Sequence, residues 1–260
     1  MAAPVALVQG ASRGLGLQFC KHILTNRTAA AVIATCRNPG DATELRGLAE
    51  RHPGRLTVLR LDVNREEEVR GAAERVRESF GRLDLVVNSS AMLHPSGKGE
   101  TSLRDVSAQG VISTLTTNTV GPLIVAKYFA PPPPEGWWRF RSAAPGESTA
   151  HAVLHWCSSG VSPFSGLGGW YSYRMSKAAL NMATRNLSIE LGRGRPKVVC
   201  VSLHPGTVDT ALSRPYHRNV PKDKLFGAEL SVSHLMGLVD SLSMERTGKA
   251  YNWDGTELPW

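Results

Sequence analysis

The segment Gly10-Ala11-Ser12-Arg13-Gly14-Leu15-Gly16 follows the apolar run 4–9 and leads into a stretch in which apolar residues have helical spacing. In a strand-turn-helix unit of this kind, glycines permit a tight exit from the strand, a close approach of backbone amides to a pyrophosphate, and close packing of the helix. The amino end of the helix favours the negative charge of the phosphates. The spacing therefore predicts a dinucleotide-binding turn at the start of an α/β fold.

Short apolar runs alternate with helical segments along the rest of the chain. The predicted strands are 4–9, 30–35, 56–61, 83–87, 152–156, 197–202 and 248–251. The predicted helices are 15–24, 42–50, 66–80, 111–129, 171–191 and 227–242, and we expect Asn64 to cap the third of them. Repeated βα units predict one domain over residues 1–260, with a doubly wound, Rossmann-like parallel sheet of about seven strands and helices on both faces.

Composition is consistent with a single enzyme-sized domain. The chain has 260 residues, 42% of them hydrophobic, which is enough to bury a large core. No run of about 18 apolar residues and no signal-peptide pattern occurs, so we expect a soluble, cytoplasmic protein without a membrane anchor. The four cysteines, Cys20, Cys36, Cys157 and Cys200, are widely spaced without a C-x-x-C pair, which argues against a metal site and favours a reducing compartment.

The formal net charge of +8 does not indicate nucleic-acid binding. The basic residues are dispersed and form no focused patch with interleaved aromatic residues, as a nucleic-acid-binding face would require. An anionic dinucleotide ligand accounts for the sign of the charge. The four prolines 131–134 end the helix before them, and residues 131–150 have no apolar periodicity, so we expect an irregular connection there.

The later segment Tyr173-Arg174-Met175-Ser176-Lys177 places a phenol and an ammonium four residues apart, on one face of a helix. A free phenol has a pKa near ~10, and lowering it to ~7 requires about 4 kcal/mol in favour of the anion. A lysine about 4 Å away contributes roughly that amount at an effective dielectric constant near 20. Lys177 can therefore make Tyr173 a usable acid, as carbonyl reduction by hydride transfer requires.

The end of the second predicted strand indicates which nucleotide is bound. An NAD-specific site usually has an acidic residue there for the adenosine ribose, but the sequence is Ala34-Thr35-Cys36-Arg37. Arg13 in the glycine turn and Arg37 can both meet a 2′-phosphate, whose charge suits the guanidinium group. The sequence therefore predicts NADPH in preference to NADH.

In these motifs and their order, nearly the whole chain resembles the short-chain dehydrogenase/reductase family. The stretch 168–181 around the tyrosine and the ending 253–260 resemble its C-factor-like subgroup. The resemblance implies cofactor contacts after strands three, four and six as well as at the glycine turn. The complete predicted cofactor-binding set is Gly10, Ser12, Arg13, Gly14, Leu15, Gly16, Arg37, Asp62, Val63, Asn88, Tyr173, Lys177, Pro205, Gly206, Thr207 and Thr210.

The resemblance also implies the catalytic roles. Tyr173 would donate the proton, Lys177 would hold the nicotinamide ribose hydroxyls, and Asn118 would position a water that links Lys177 to solvent. A serine after the fifth strand would orient the carbonyl oxygen; family spacing favours Ser159, with Ser158 and Ser162 as alternatives. Residues 207–226 would form a substrate lid, and the family implies a homodimer or homotetramer.

The chain also departs from the family pattern. Gln9 stands where the family commonly has threonine, residues 89–91 replace three positions of a family turn, and 131–166 does not resemble the subgroup. Two functions follow. The first is an NADPH-dependent oxidoreductase that reduces the carbonyl of a small molecule. The alternative is a nucleotide-binding scaffold or signalling protein of the same fold with weak or no turnover.

Overall fold

The structure, a computed structural model, describes residues 3–130, 151–156, 168–193 and 197–259. Its main sheet has eight strands in the order β10-β9-β6-β5-β4-β1-β2-β3. These strands are β1 Val5–Gln9, β2 Ala31–Cys36, β3 Leu56–Arg60, β4 Leu85–Asn88, β5 His151–Trp156, β6 Val198–His204, β9 Ala250–Asn252 and β10 Glu257–Leu258. A separate parallel pair is formed by β7 Thr207–Val208 and β8 Leu225–Phe226.

The main sheet confirms the predicted doubly wound architecture. Strands β3, β2, β1, β4, β5, β6 and β9 are parallel to their neighbours, and only the added edge strand β10 runs antiparallel. The chain builds outward from β1 to β3 and then returns to place β4 on the other side of β1. The strand order reverses there, between β1 and β4, and open α/β sheets bind ligands at such a point, beyond the carboxyl ends of their strands.

Helices cover both faces of the sheet. They are α1 Gly14–Asn26, α2 Thr43–Arg51, α3 Glu66–Phe80, α4 Ala108–Leu115, α5 Gly121–Phe129, α6 Tyr171–Arg193 and α7 Ala228–Asp240. In β1 every residue is buried: Ala6 and Val8 join the core under α1, α2 and α7, whereas Val5 and Leu7 join the core under α3, α5 and α6. Two-sided burial explains why the strand reads as a continuous apolar run and not as an alternating one.

Two local predictions require correction. Asn64 does not cap α3: the residue before the helix is Arg65, which makes no side-chain cap, and the amide oxygen of Asn64 instead accepts a hydrogen bond from Thr117 Oγ1 at 3.2 Å. Three glutamates, 66–68, occupy the first turn and stabilise it electrostatically. The helix predicted over 111–129 is also not uniform, because the wider π turn Thr116–Val120 separates α4 from α5.

The glycine turn depends on direct contact between two backbone segments. A Cβ atom on Gly16 would lie 2.2 Å from the carbonyl oxygen of Gly10, because the first turn of α1 packs against the end of β1. Neither segment can yield without disturbing the sheet. The contact therefore requires glycine at position 16 for steric reasons alone.

We expect Gly16→Ala to lower the free energy of unfolding by about 3 kcal/mol or more, since overpacking here forces backbone to move. Gly71→Ala is the matched control, because a Cβ at this position inside α3 meets nothing within 4 Å. The control should raise the free energy of unfolding by about 0.5–1 kcal/mol through better helix propensity. Urea denaturation measures both, and equal effects of the two substitutions would contradict the packing argument.

Candidate functional site

The turn after β1 presents backbone donors at the carboxyl edge of the sheet. Gly10 and Gly14 have φ angles of +80° and +57°, which favour glycine. The residue before α1, Arg13, makes no side-chain cap, and the first turn of the helix holds no acidic residue. α3, in contrast, has three glutamates in its first turn. Within the described part of the chain, the amino end of α1 therefore has no side-chain cap, and its N–H groups and positive dipole end suit an anion.

Two exposed arginines flank this turn. Arg13 lies at the start of α1, and Arg37 lies directly beyond β2. β2 is held to the turn because the carbonyl oxygen of Thr35 accepts hydrogen bonds from the backbone N–H groups of Gly10 and Ala11, both at 2.9 Å. Neither guanidinium takes part in an ion pair within the described ranges. Both charges are therefore available to an anionic ligand at this edge.

Asn88 ends β4 beside the turn, in register with Gln9 of β1. Its side chain is 2% exposed, and neither amide atom has a hydrogen-bond partner among the residues that the structure describes. Leaving a buried polar group unpaired costs about 1–3 kcal/mol of stability, which a ligand that pairs with it would recover. A polar ligand at the strand ends would supply the missing partner, and the site therefore fits a nucleotide better than it fits an apolar molecule.

Gln9 and Ser90, two of the departures from the family pattern, contact each other. The Gln9 amide nitrogen donates to Ser90 Oγ, and Gln9 Oε1 accepts from the Ser90 backbone N–H at 3.2 Å. The pair ties the end of β1 to the loop after β4. A Cβ atom on Gly10 would lie 2.7 Å from both Ser90 N and Ser90 Oγ, so the two loops pack closely at the switch point.

Asp62 and Val63 follow β3 at the same edge. The Asp62 carboxylate accepts a hydrogen bond from the Asn64 backbone at 3.0 Å, and the Asp62 backbone N–H donates to Glu68 Oε2 at 3.0 Å. Val63 packs against the start of α5, where a Cβ on Gly121 would come within 2.8 Å of it. The loop that carries the predicted cofactor contacts Asp62 and Val63 is thus fixed on both sides.

Tyr173 and Lys177 share the buried face of α6. Tyr173 is 9% exposed and Lys177 is 2% exposed. The Lys177 ammonium lies 5.5 Å from the centroid of the Tyr173 ring, within the range of a cation–π contact. The helix therefore brings the two groups together as the four-residue spacing predicts, and it removes both from bulk solvent.

Asn118 lies in the π turn between α4 and α5 and is fully buried. Its amide oxygen accepts from the Met92 backbone N–H at 2.8 Å, and its amide nitrogen donates to the Met92 carbonyl at 2.8 Å and to Ser176 Oγ at 2.9 Å. Ser176 Oγ in turn donates to the Tyr173 carbonyl at 2.7 Å. This chain of hydrogen bonds joins the π turn to the helix turn that carries Tyr173 and Lys177.

The start of α6 has an unusual backbone. Trp170 precedes the helix with a φ of +53°, a conformation that a bulky side chain rarely adopts, and its carbonyl accepts from the Arg174 N–H at 2.8 Å. The buried carboxylate of Glu100 accepts hydrogen bonds from the backbone N–H of Ser172, at 3.1 Å, and from the Ser172 hydroxyl. Burial raises the pKa of Glu100, but the hydrogen bonds from Ser172, a backbone hydrogen bond at Glu100 and the nearby His94 together outweigh burial and hold the pKa below its usual value.

The segment after β6 completes the edge. Gly206 has a φ of +76° and lies under the ring of Phe226, which contacts Trp253 at a centroid distance of 4.7 Å. Ser231 Oγ donates to the Pro205 carbonyl at 2.8 Å. Thr210 lies next to the first glycine turn, since a Cβ on Gly14 would be 3.6 Å from its methyl group. Residues 205–210 therefore approach the amino end of α1.

The predicted lid 207–226 has its own anchor points. Its ends pair with each other as β7 and β8. Near its middle, the Tyr216 hydroxyl accepts a hydrogen bond from the Gly99 backbone N–H at 2.6 Å, and the Tyr216 ring packs against Trp170 at 4.3 Å between centroids. The Trp170 ring is also 6.4 Å from the ring of Tyr173. The middle of the segment thus reaches the neighbourhood of the phenol.

Some predictions fall outside the described residues. Ser159 and its alternatives Ser158 and Ser162 lie outside them, as does the connection 131–150. β5 ends at Trp156, next to β4 and β6, so the chain enters that segment from the carboxyl edge of the sheet. Over the described ranges there is no group of three or more potential metal ligands. No helix in those ranges combines the length and apolar character needed to span a membrane.

Comparison with known proteins identifies the family. The family model for short chain dehydrogenases matches residues 4–220. The chain belongs to the short-chain dehydrogenase family. It is 30% identical to an uncharacterized oxidoreductase of Schizosaccharomyces pombe, over 98% of this chain and 97% of that protein. It is 34% identical to C-signal of Myxococcus xanthus, over 69% of this chain and 94% of that protein, which agrees with the subgroup resemblance.

Solved structures give the same assignment. The NADPH-bound carbonyl reductase from chicken fatty liver has a TM-score of 0.84 and 29% sequence identity, with 100% of this chain and 95% of that chain covered. Family membership and these relatives establish the protein as an NAD(P)-dependent short-chain oxidoreductase.

Sequence reasoning did not find every residue at this edge. Glu100 contacts Ser172 across 72 positions, and no local pattern indicates that pairing. Tyr216 and Trp170 were not singled out either, because their contact joins the lid to the start of α6. The departure at Gln9 was visible as an unusual residue, but its partner Ser90 becomes evident only from the adjacency of β1 and β4.

Proposed function

We propose that the protein is an NADPH-dependent reductase that transfers hydride to the carbonyl carbon of a small molecule, with Tyr173 as the proton donor. The observation that carries the proposal is the buried Tyr173–Lys177 pair, with the ammonium 5.5 Å from the phenol ring. The pair lies on the helix that Asn118 joins to the switch-point side of the sheet. A tyrosine and a lysine at the same spacing on an exposed helix surface would be an ordinary solvated pair and would not support catalysis.

The roles follow from the chemistry of carbonyl reduction. The reduced nicotinamide, when bound, supplies the hydride. Tyr173 gives its proton to the carbonyl oxygen, since oxygen gains negative charge as hydride reaches carbon. Lys177 favours the charged phenolate that remains and binds the nicotinamide ribose hydroxyls. Asn118 fixes the turn around Ser176 and supports a proton path to solvent, while Ser159, or one of its neighbours Ser158 and Ser162, orients the carbonyl oxygen.

The cofactor proposal rests on the carboxyl edge. The amino end of α1, which Arg13 does not cap, suits a pyrophosphate, and the Asn88 amide, unpaired among the described residues, suits a polar nucleotide. Arg13 and Arg37 are exposed next to this turn and would bind a 2′-phosphate. The bound NADPH of the chicken carbonyl reductase supports the same preference by likeness. The remaining members of the cofactor set are Ser12, Leu15, Asp62, Val63, Pro205, Gly206, Thr207 and Thr210.

An exposed apolar stripe supports self-association as a homodimer or homotetramer. Met175, Met182 and Ile189 are spaced by seven residues on α6 and are 50%, 60% and 41% exposed. On the neighbouring helical segments, Ile112, Val120 and Leu123 are also exposed. A second copy would cover such a stripe. Sedimentation of the purified chain as a monomer at micromolar concentration would contradict this.

We also propose a cytoplasmic location. Cys20, Cys36 and Cys200 are buried free thiols, which suits a reducing compartment. Recovery of the protein in a membrane or secreted fraction after cell fractionation would overturn this.

We expect Tyr173→Phe to lower kcat for NADPH oxidation by about 10²–10⁴-fold, the usual contribution of a general acid. Tyr171→Phe is the matched control, because it removes a phenol hydroxyl from the same helix two residues earlier. A panel of aldehydes, ketones and quinones supplies the substrates, and fluorescence titration checks that both variants still bind NADPH. Binding of NADPH without any turnover by the unsubstituted protein would favour the scaffold alternative. Full activity of Tyr173→Phe would refute the catalytic assignment.

We expect Arg37→Asp to reverse the nucleotide preference. Loss of a charged hydrogen bond of about 1.5–3 kcal/mol corresponds to roughly 10–150-fold weaker NADPH binding, and the new carboxylate can accept from the ribose hydroxyls of NADH. Arg75→Asp, at an exposed position of α3, makes the same charge change away from the turn. Fluorescence titrations of each variant with both nucleotides measure the effect. An unchanged ratio of the two dissociation constants in Arg37→Asp would rule the assignment out.

We expect Tyr216→Phe to raise the KM of the carbonyl substrate several-fold while leaving NADPH affinity close to that of the unsubstituted enzyme. The substitution removes the hydrogen bond to the Gly99 backbone, worth about 0.5–1.5 kcal/mol, and so loosens the proposed lid. Tyr128→Phe serves as the control, since the hydroxyl of Tyr128 on α5 donates a hydrogen bond to Glu66 on α3, away from the proposed lid. Steady-state kinetics decides, and an unchanged KM in Tyr216→Phe would mean that the contact does not hold a lid.

A further inference from the structure

The amino end of α6 lacks the cap that its own sequence would normally provide. Trp170 stands at the capping position, because its carbonyl accepts the first helical hydrogen bond from Arg174. Capping residues usually carry a side-chain oxygen that accepts from a backbone N–H in the first turn. An indole has no such acceptor. The first N–H groups of the helix therefore depend on an acceptor from elsewhere in the chain.

Glu100 supplies that acceptor. It is 3% exposed, and one carboxylate oxygen accepts both the backbone N–H and the hydroxyl of Ser172, in the first turn of α6. The Glu100 carbonyl also accepts the N–H of Trp170 at 2.7 Å. A Cβ on Gly169 would lie 2.7 Å from that carbonyl, so residues 169–172 wrap closely around Glu100.

We infer that Glu100 is a positioning residue for the reaction, acting through Ser172 to hold the first turn of α6 and, with it, the phenol of Tyr173. This inference rests on the proposed function. Ser172 directly precedes Tyr173, and the Tyr173 carbonyl is fixed by Ser176 one turn later. The phenol is thus held from both sides along the helix, by Glu100 before it and by the Asn118–Ser176 pair after it.

The charge of Glu100 is not what the role requires. Its second oxygen has no hydrogen-bond partner among the described residues, so only one oxygen acts on the helix. A glutamine places an amide oxygen in the same position and still accepts from Ser172. An alanine leaves the Ser172 N–H and hydroxyl buried without a partner. A misplacement of a reacting group by about 1 Å can cost on the order of 10²-fold in rate, so the two substitutions should differ.

The experiment compares Glu100→Ala, Glu100→Gln and Ser172→Ala in the full-length protein. We expect Glu100→Ala to lower kcat by about 10–100-fold with less than a threefold change in NADPH affinity, and Glu100→Gln to retain kcat within about threefold. Asp84→Ala is the matched control: its carboxylate accepts from the Val5 backbone N–H at 2.7 Å, at the opposite, amino end of the sheet. The control should lower the melting temperature without changing kcat per folded molecule.

The outcomes separate this inference from the proposed function. Turnover by the unsubstituted enzyme together with an unchanged kcat in Glu100→Ala overturns the positioning role alone, as does a Glu100→Gln variant as impaired as Glu100→Ala. Absence of turnover in the unsubstituted enzyme overturns both. If Glu100→Ala does not fold, Ser172→Ala decides: a several-fold lower kcat at unchanged NADPH affinity supports the role, and an unchanged kcat refutes it.

Discussion

A buried ammonium group is the constraint around which the site is organised. Lys177 is almost fully enclosed, and a charged group away from water must have polar surroundings. The inner face of α6 is itself partly polar, since its buried residues include Ser172, Ser176, Asn181, Thr184 and Ser188 in addition to the apolar ones.

This polar inner face explains what the sequence could and could not predict about α6. The hydroxyls of Ser176, Thr184 and Ser188 each donate to a carbonyl three or four residues earlier in the same helix. Small side chains that bond to their own helix allow the helix to lie close to its neighbours. Hydrophobic periodicity is weak along such a helix. The Tyr-x-x-x-Lys spacing therefore indicated the helix more clearly than its apolar residues did.

The seven predicted strands lie close to the observed bounds of β1 to β6 and β9, because two-sided burial produces continuous apolar runs that need no knowledge of distant residues. Most helices were found from their apolar periodicity, whereas the two-residue strands β7, β8 and β10 were not predicted. Features that depend on residues distant in the sequence were either not predicted or predicted wrongly. Asn64 looks like a cap in the sequence, but its amide is engaged by Thr117 across the fold. Glu100 looks like an ordinary loop glutamate, although it caps a helix that begins some seventy residues later. Capping by a remote side chain leaves no local pattern to detect.

The departures from the family pattern must be judged in the same three-dimensional terms. Taken singly, Gln9 and Ser90 look like losses at the end of two central strands. In the structure they bond to each other twice, and the pair ties β1 to the loop after β4. One departure thus compensates the other, because a longer amide side chain reaches a hydroxyl across the switch point. The departures at Gln9 and Ser90 therefore do not favour the scaffold alternative, because the two residues stabilise the same edge of the sheet. The buried Tyr173–Lys177 pair, in contrast, favours the reductase.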